Sequence, residues 1–113
     1  MVAPVIIPPK PATLAKYDLT ADEWGWLLAR QGGVCAICFK VPKGGRFNVD
    51  HQHGRQRGKR WKDLPPAERR ATVRGILCPM CNMLILGRGV TVAKLRAAAD
   101  YLERWQAARS EAA

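Results

Sequence analysis

The chain is poor in acidic residues and in histidine. Its 113 residues include nine Asp and Glu against nineteen Lys and Arg, a formal charge of +10, and two histidines. So large a positive excess favours a polyanionic partner. Both histidines lie in one stretch, Val49-Asp50-His51-Gln52-His53, which we take as a candidate site.

Long apolar runs are also missing, and none approaches the roughly 20 residues that a membrane span needs. The N-terminal stretch is apolar, but prolines interrupt it and it has no charge before Lys10, unlike a signal or transit peptide. We therefore expect a cytoplasmic protein without a membrane partner. A 48% hydrophobic content with four tryptophans indicates a single folded domain rather than a disordered chain.

The positive charge is concentrated in one part of the chain. From Lys40 to Arg74 there are eleven basic and three acidic residues. An excess that served only solubility would be spread evenly, so its position beside the histidines favours nucleic acid. The candidates for DNA contacts are Arg55, Arg57, Lys59, Arg60, Trp61, Lys62 and Arg74. Two interpretations of Trp61 stay open: it stacks on a base, or it anchors the loop to the core.

Cysteine is limited to two Cys-x-x-Cys pairs, with 39 residues between them. In each pair the two intervening residues let both sulfurs turn toward one point, with Zn–S distances of about 2.3 Å. Nothing supports an oxidised framework, so zinc is favoured over disulfides or free thiols. Four cysteine ligands are typical of a closed, structural site. The predicted zinc ligands are Cys35, Cys38, Cys78 and Cys81.

Local patterns predict a small α+β domain. A capping box at Thr20 and Glu23 predicts a helix over 21–30 that ends at Gly32-Gly33. Alternating residues predict strands over 46–51 and 73–77. A helical segment over 79–86 and a last helix over 92–109 follow. The last helix is predicted to bury a stripe formed by Val92, Leu95, Ala99, Leu102 and Trp105.

These elements predict three parts of the chain. Residues 1–16 are expected to form a Pro-rich, extended arm, because each proline fixes φ and removes a donor. Residues 17–109 are expected to form a zinc-stabilised domain, and residues 110–113 a C-terminal tail.

Asp50, His51, His53 and Asn82 are the remaining polar candidates for chemistry. An Asp-His pair is a weak signal alone, but this one lies on a strand between the cysteine pairs and beside the basic loop. Phosphodiester cleavage needs a base to deprotonate water and a hard cation to take up charge. Histidine suits the base, and carboxylate with amide oxygens suits Mg²⁺.

Four stretches together resemble the phage recombination endonuclease VII family of HNH, or ββα-metal (His-Me finger), nucleases. They are Tyr17-Asp18-Leu19-Thr20, the run from Gln31 to Cys38, Val49-Asp50-His51-Gln52-His53, and the run from Val73 to Asn82. The resemblance implies a small ββα-metal fold with flanking helices. In it, a hairpin and a helix grip one divalent ion, and zinc clamps the base of the hairpin to the helix.

The same resemblance implies roles for individual residues. Asp50 and Asn82 would bind the catalytic Mg²⁺ or Mn²⁺, and His51 would be the general base. His53 would contact phosphate or assist proton transfer. The implied function is a metal-dependent endonuclease that hydrolyses phosphodiester bonds of duplex or branched DNA, as in DNA recombination, in the host cytoplasm if the chain is phage-encoded. Two departures are Gln52, where the family commonly has aspartate, and the apolar run 83–86, where the prototype has an acidic residue.

A second class of function stays open: a non-catalytic zinc module that binds DNA or takes part in phage assembly. Monomer and homodimer are both compatible with the sequence.

Overall fold

The computed structural model describes residues 4–87 and 89–112, and this part contains helices and two strands, so the predicted mixture of helix and strand is confirmed. Short helical turns at Trp61–Asp63 and Cys81–Ile85, the second with π-helical spacing, lie in the connections. No helix in the described ranges combines the length and apolar character needed to cross a bilayer. The main elements are α1 Pro11–Lys16, α2 Ala21–Arg30, β1 Asn48–His51, α3 Pro66–Ala71, β2 Val73–Leu77 and α4 Val92–Ala112.

Helix α2 has the bounds that the capping box predicts. The Thr20 hydroxyl accepts a hydrogen bond from the Glu23 N–H at 3.1 Å, and the Glu23 carboxylate accepts one from the Thr20 N–H at 2.9 Å. Trp24 and Leu28 are buried in the core, while Trp26 lies off that stripe and is 60% exposed. This helix supplies one wall of the core that supports the sheet.

The sheet has two antiparallel strands and one irregularity. Val49 pairs with Ile76, and both side chains are buried in the core. Asp50 lies opposite Gly75, but His51 lies opposite Val73, so Arg74 is an extra residue on β2. In regular pairing Arg74 would share the face of His51. A bulge of this kind bends the strand and re-aims the extra side chain.

Gln31, the residue that ends α2, binds the sheet through its amide group. Its Nε2 donates to the Ile76 carbonyl at 2.7 Å and to the Val34 carbonyl at 3.0 Å, and its Oε1 accepts from the Ile76 N–H at 2.9 Å. One side chain therefore satisfies both backbone groups of a buried strand residue, as a neighbouring strand would.

The N-terminal segment is attached to the body of the domain. The extended interpretation is wrong for Pro11–Lys16, which forms α1 with proline at its first position, where the missing N–H costs nothing. Upstream, the Ile7 N–H donates to the Gly45 carbonyl at 2.9 Å. Gly45 has a φ of 76°, and a Cβ there would collide with the Val5 carbonyl oxygen. Residues 1–3 lie outside the described ranges.

Helix α4 has the predicted start but not the predicted burial. The Thr91 hydroxyl caps it by accepting from the Lys94 N–H at 3.1 Å. The expected buried stripe is wrong in the described chain: Leu102 is 56% and Trp105 54% exposed, and Val92, Leu95 and Ala99 are exposed as well. The apolar spacing specifies a face, but it does not specify what packs against that face. The helix continues to Ala112, into the predicted tail, and residue 113 lies outside the described ranges.

Replacing Gln31 by Leu should lower the free energy of unfolding by about 1–3 kcal/mol, because the Ile76 N–H loses its acceptor and the Ile76 carbonyl keeps only the 3.3 Å hydrogen bond from the Ala36 N–H. Urea unfolding at constant metal content measures the change. The same replacement at Gln106, on exposed α4, is the matched control and should stay within about 0.5 kcal/mol. Equal effects at the two positions would contradict the bridging role of Gln31.

Candidate active site and metal centre

The four cysteine sulfurs meet at one point. All of them lie within 4.8 Å of one another, and the Cys38 and Cys78 sulfurs are 3.8 Å apart. A tetrahedral site with Zn–S bonds of about 2.3 Å has sulfurs about 3.8 Å apart. All four cysteines are free thiols rather than disulfides. The cluster has the donors and the spacing to hold a metal such as zinc.

The local charge of the cluster also suits a cation. Burial works to raise the pKa of Cys35, but backbone N–H groups of Cys38, Cys78 and Ile37 outweigh it and lower that pKa to about 6. Burial and hydrogen bonds with the other thiols raise the pKa of Cys81 to about 12. One thiolate is thus tolerated without an ion. A bound divalent cation would let all four sulfurs carry charge.

The cluster fixes where the segment with Asn82 begins. Strand β2 runs directly into Cys78, and the Asn82 N–H donates to the Cys78 carbonyl at 3.0 Å in the first turn that follows. Asn82 is half-buried, whereas Met83 and Leu84 after it are 69% and 70% exposed. No hydrogen bond among the described residues joins Asn82 to Asp50, so their shared role stays a prediction.

Asp50 is buried and paired with an arginine. Only 3% of the residue is exposed, and both carboxylate oxygens accept hydrogen bonds from Arg74, from Nε at 2.8 Å and from Nη2 at 3.0 Å. The bulge in β2 brings Arg74 to this face of the sheet. A bidentate guanidinium compensates the charge of a carboxylate that would otherwise be costly to bury.

Aromatic rings surround the His51 imidazole. Its centroid lies 4.5 Å from the Trp61 ring, 5.5 Å from Tyr17 and 4.6 Å from His53. Burial lowers the pKa of His51, and the charges of His53, Arg74 and Lys16 act in the same direction against the opposing charge of Asp50. The pKa of Tyr17 is raised by burial and then by the negative charge of Asp50. Burial and neighbouring positive charge therefore favour the uncharged form of the His51 imidazole.

A cleft of about 830 Å³ opens beside these rings. The residues that line it include four basic side chains, Arg55, Arg60, Lys62 and Arg74, together with His53 and Trp61. A cationic cleft of this size could accommodate a phosphodiester backbone.

The basic loop that borders the cleft is ordered by its own contacts. Gln56 and Lys59 exchange two backbone hydrogen bonds of 3.0 Å, and the residues between them, Arg57 and Gly58, have φ values of 53° and 76°. This is a tight two-residue hairpin turn. Several of its cations already have partners in the chain: Arg57 pairs with Glu68, Arg60 with Asp63 at 2.9 Å, and Arg55 donates to the Gly58 carbonyl at 2.9 Å.

The sequence reasoning missed three residues with a part in the site. Tyr17 packs on His51, Thr72 accepts a hydrogen bond from the Trp61 indole, and Gln31 binds the sheet. The sequence pointed to Tyr17, since this residue begins the first stretch that carries the family resemblance. No sequence pattern pointed to Thr72, because only the fold of the loop brings it to Trp61.

The fold and the cluster together define a small domain of mixed helix and strand, with four cysteines placed so that they could hold a metal. The sequence model of the family described as recombination endonuclease VII matches residues 11–104. The chain belongs to the recombination endonuclease VII family, so the predicted resemblance is confirmed.

Two phage proteins are among its relatives. The chain is 37% identical over 93 residues to the Gene 59 protein of Mycobacterium phage D29, covering 80% of this chain and 47% of that protein. It is 37% identical over 75 residues to the Gene 59 protein of Mycobacterium phage L5, covering 66% of this chain and 37% of that protein. The chain thus spans less than half the length of these relatives. No solved structure matches.

The pKa of His51 should lie below its usual value of 6.5, because burial and nearby positive charge disfavour the imidazolium. NMR titration of the ring protons measures it, and the spectrum of His51→Ala assigns the resonance. Since the folded state binds this proton less readily than the unfolded state, the contribution of His51 to stability falls as the pH decreases from 6.5 through the folded pKa. A titration midpoint at or above 6.5 would contradict the assigned environment.

Proposed function

We propose that this chain carries a divalent-metal-dependent endonuclease domain that hydrolyses DNA phosphodiester bonds. The observation that carries the proposal is the position of His51, which follows buried Asp50 on β1 and packs against Trp61, one of the residues that line the basic cleft. Both residues lie within the range that matches the family. Nicking or cutting of duplex or branched DNA is the expected reaction.

In this mechanism His51 is the general base. It takes a proton from a water molecule whose oxygen attacks the phosphorus, and the bond from phosphorus to the leaving oxygen breaks. A base must be unprotonated at working pH, and the lowered pKa of His51 meets that need. His53, 4.6 Å away between ring centroids, would contact the phosphate or assist proton transfer.

Asp50 and Asn82 would hold the catalytic Mg²⁺ or Mn²⁺. A carboxylate and an amide are the oxygen donors that such a hard cation takes, and it would neutralise charge that develops on the phosphate. Both Asp50 oxygens are engaged by Arg74, so a cation at this carboxylate must replace or share that partner. The half-exposed guanidinium of Arg74 lines the cleft, where it could bind phosphate instead.

The basic residues that line the cleft, and two more in the loop that borders it, Arg57 and Lys59, would hold the DNA backbone. We assign this role to Arg55, Arg57, Lys59, Arg60, Lys62 and Arg74. Contacts of this kind make binding fall with salt, at a log–log slope of about −0.9 per phosphate neutralised on duplex DNA. Recognition through the backbone would give specificity for DNA shape rather than for sequence.

The four cysteines would hold one structural zinc ion. Cys35 and Cys38 precede the hairpin, and Cys78 and Cys81 follow it, so one ion would close its base. With β1, β2 and the helical turn that carries Asn82, this arrangement fits a ββα-metal domain of the HNH type.

A second function has one observation in its favour. The Asp50–Arg74 pair satisfies both carboxylate oxygens without any ion, as expected of a scaffold that does not turn over. The chain would then be a zinc-binding module that binds DNA or takes part in phage assembly.

Plasmid nicking in Mg²⁺ or Mn²⁺ separates the two functions. The zinc-loaded protein should nick DNA, and His51→Ala should lower the rate by about 10²–10⁴-fold because the general base is lost. Gln106→Ala on exposed α4 is the control and should cut at the original rate. Intact DNA binding without any nicking would favour the non-catalytic module, and an equally active His51→Ala would refute the assigned base.

Replacing Cys78 by Ser should abolish the cooperative thermal transition and lower the zinc content below one per chain, because structural zinc contributes folding free energy. Metal analysis and a thermal melt are the measurements. Ala36→Ser is the matched control, since it adds the same hydroxyl between the first two ligands without removing a thiol. An unchanged melt for the Cys78 variant is incompatible with a structural ion.

A further inference from the structure

Trp61 packs directly on the candidate base. Its ring centroid lies 4.5 Å from that of His51, with 33° between the planes. Tyr17 completes the group, at 5.5 Å from His51 and 5.3 Å from Trp61. The three rings come from distant parts of the chain: the end of α1, the end of β1 and the turn Trp61–Asp63. Three segments therefore converge on one imidazole.

The indole is fixed from behind by Thr72. Trp61 Nε1 donates to Thr72 Oγ1 at 2.9 Å, and that hydroxyl donates to the Arg69 carbonyl at 2.6 Å. Thr72 is 4% exposed, and its carbonyl accepts from the Gln52 N–H at 2.9 Å. Gln52 directly follows His51. Thr72 therefore binds both the Trp61 indole, through its hydroxyl, and the backbone next to His51, through its carbonyl.

The imidazole of His51 depends on this packing for its orientation. Within residues 4–87 and 89–112, no group hydrogen-bonds either ring nitrogen, and the contacts of the imidazole are with the rings of Trp61, Tyr17 and His53. In many hydrolases a hydrogen-bonded partner orients the base. Here ring contacts restrict the rotation of the side chain, and misplacement of a reacting group by about 1 Å can cost about 10²-fold in rate.

We propose that Trp61, anchored by Thr72, is a positioning residue that orients His51 for proton abstraction. A role in stacking on DNA bases is disfavoured, because its ring packs on His51 and Tyr17 and its N–H is bonded to Thr72. This inference rests on the proposed function, in which His51 is the base.

The test compares Trp61→Ala, Trp61→Phe and Thr72→Val with Trp26→Ala, which removes an exposed tryptophan elsewhere. For each zinc-loaded variant, single-turnover cleavage at saturating protein gives the rate, and fluorescence anisotropy with labelled DNA gives the affinity. Trp61→Ala should lower the rate by about 10²-fold and leave the affinity nearly unchanged. Trp61→Phe should restore most of the rate, Thr72→Val should lose part of it, and Trp26→Ala should cut normally.

A second readout does not depend on cleavage. The carbon-bound ring protons of His51 should carry ring-current shifts in the NMR spectrum that Trp61→Ala reduces to the contributions of Tyr17 and His53 and that Trp26→Ala leaves unchanged. If Trp61→Ala fails to fold, as judged by zinc content and circular dichroism, a normal rate in Thr72→Val would still overturn the proposal.

Two other results would also overturn it. Weaker DNA binding of Trp61→Ala with a normal rate at saturation would assign the indole to stacking on DNA. Unshifted His51 protons would mean that the indole does not fix the imidazole. Full activity of His51→Ala would contradict both the assignment of His51 as the base and the role of Trp61. An inactive His51→Ala together with a fully active Trp61→Ala would contradict the role of Trp61 alone.

Discussion

The convergence of four sulfur atoms within 4.8 Å of one another is the constraint on which the rest of the site depends. An isolated two-stranded hairpin is marginally stable in water, and here the hairpin is the only sheet in the described chain. One cysteine pair precedes the hairpin and the other follows it, so the cluster holds the two ends of the hairpin together. The helical turn with Asn82 begins at the second pair. Helix α2 adds a second support through the Gln31 amide, which pairs with Ile76 near the end of β2.

Beside the cysteine cluster, the site contains an ion pair between Asp50 and Arg74 and a group of aromatic rings packed around His51. The bulge at Arg74 places a guanidinium beside Asp50, which is 3% exposed. The charge of this buried carboxylate is therefore compensated without an ion. In the proposed enzyme a divalent cation takes over part of that compensation and leaves Arg74 to the phosphate. His51, one residue along, has a lowered pKa because of burial and neighbouring positive charge, and this suits a base that is neutral at physiological pH.

Features set by local chemistry could be predicted from the sequence. The capping box at Thr20 gives the bounds of α2, and each Cys-x-x-Cys pair contains its own turn, so both appear as predicted. Among features that need distant partners, the four-cysteine cluster could be predicted from the paired spacing of its ligands, whereas side-chain pairing and helix packing could not. The bulge depends on how two strands pair 24 residues apart, so Arg74 had only a DNA role in the prediction. The predicted burial of the apolar stripe on α4 was wrong for the same reason, because a periodic apolar face does not identify the surface that packs against it.

The central claim is that one chain holds two different metals, zinc in the cysteine cluster and a hard cation at Asp50 and Asn82. Anomalous diffraction from crystals of the zinc-loaded protein soaked in Mn²⁺, recorded at the zinc and manganese edges, tests it most directly. The account predicts a zinc peak at the centre of the four sulfurs and a separate manganese peak at the Asp50 carboxylate, with Arg74 moved away from at least one oxygen. Manganese absent from Asp50, with the Arg74 pair intact, would contradict it.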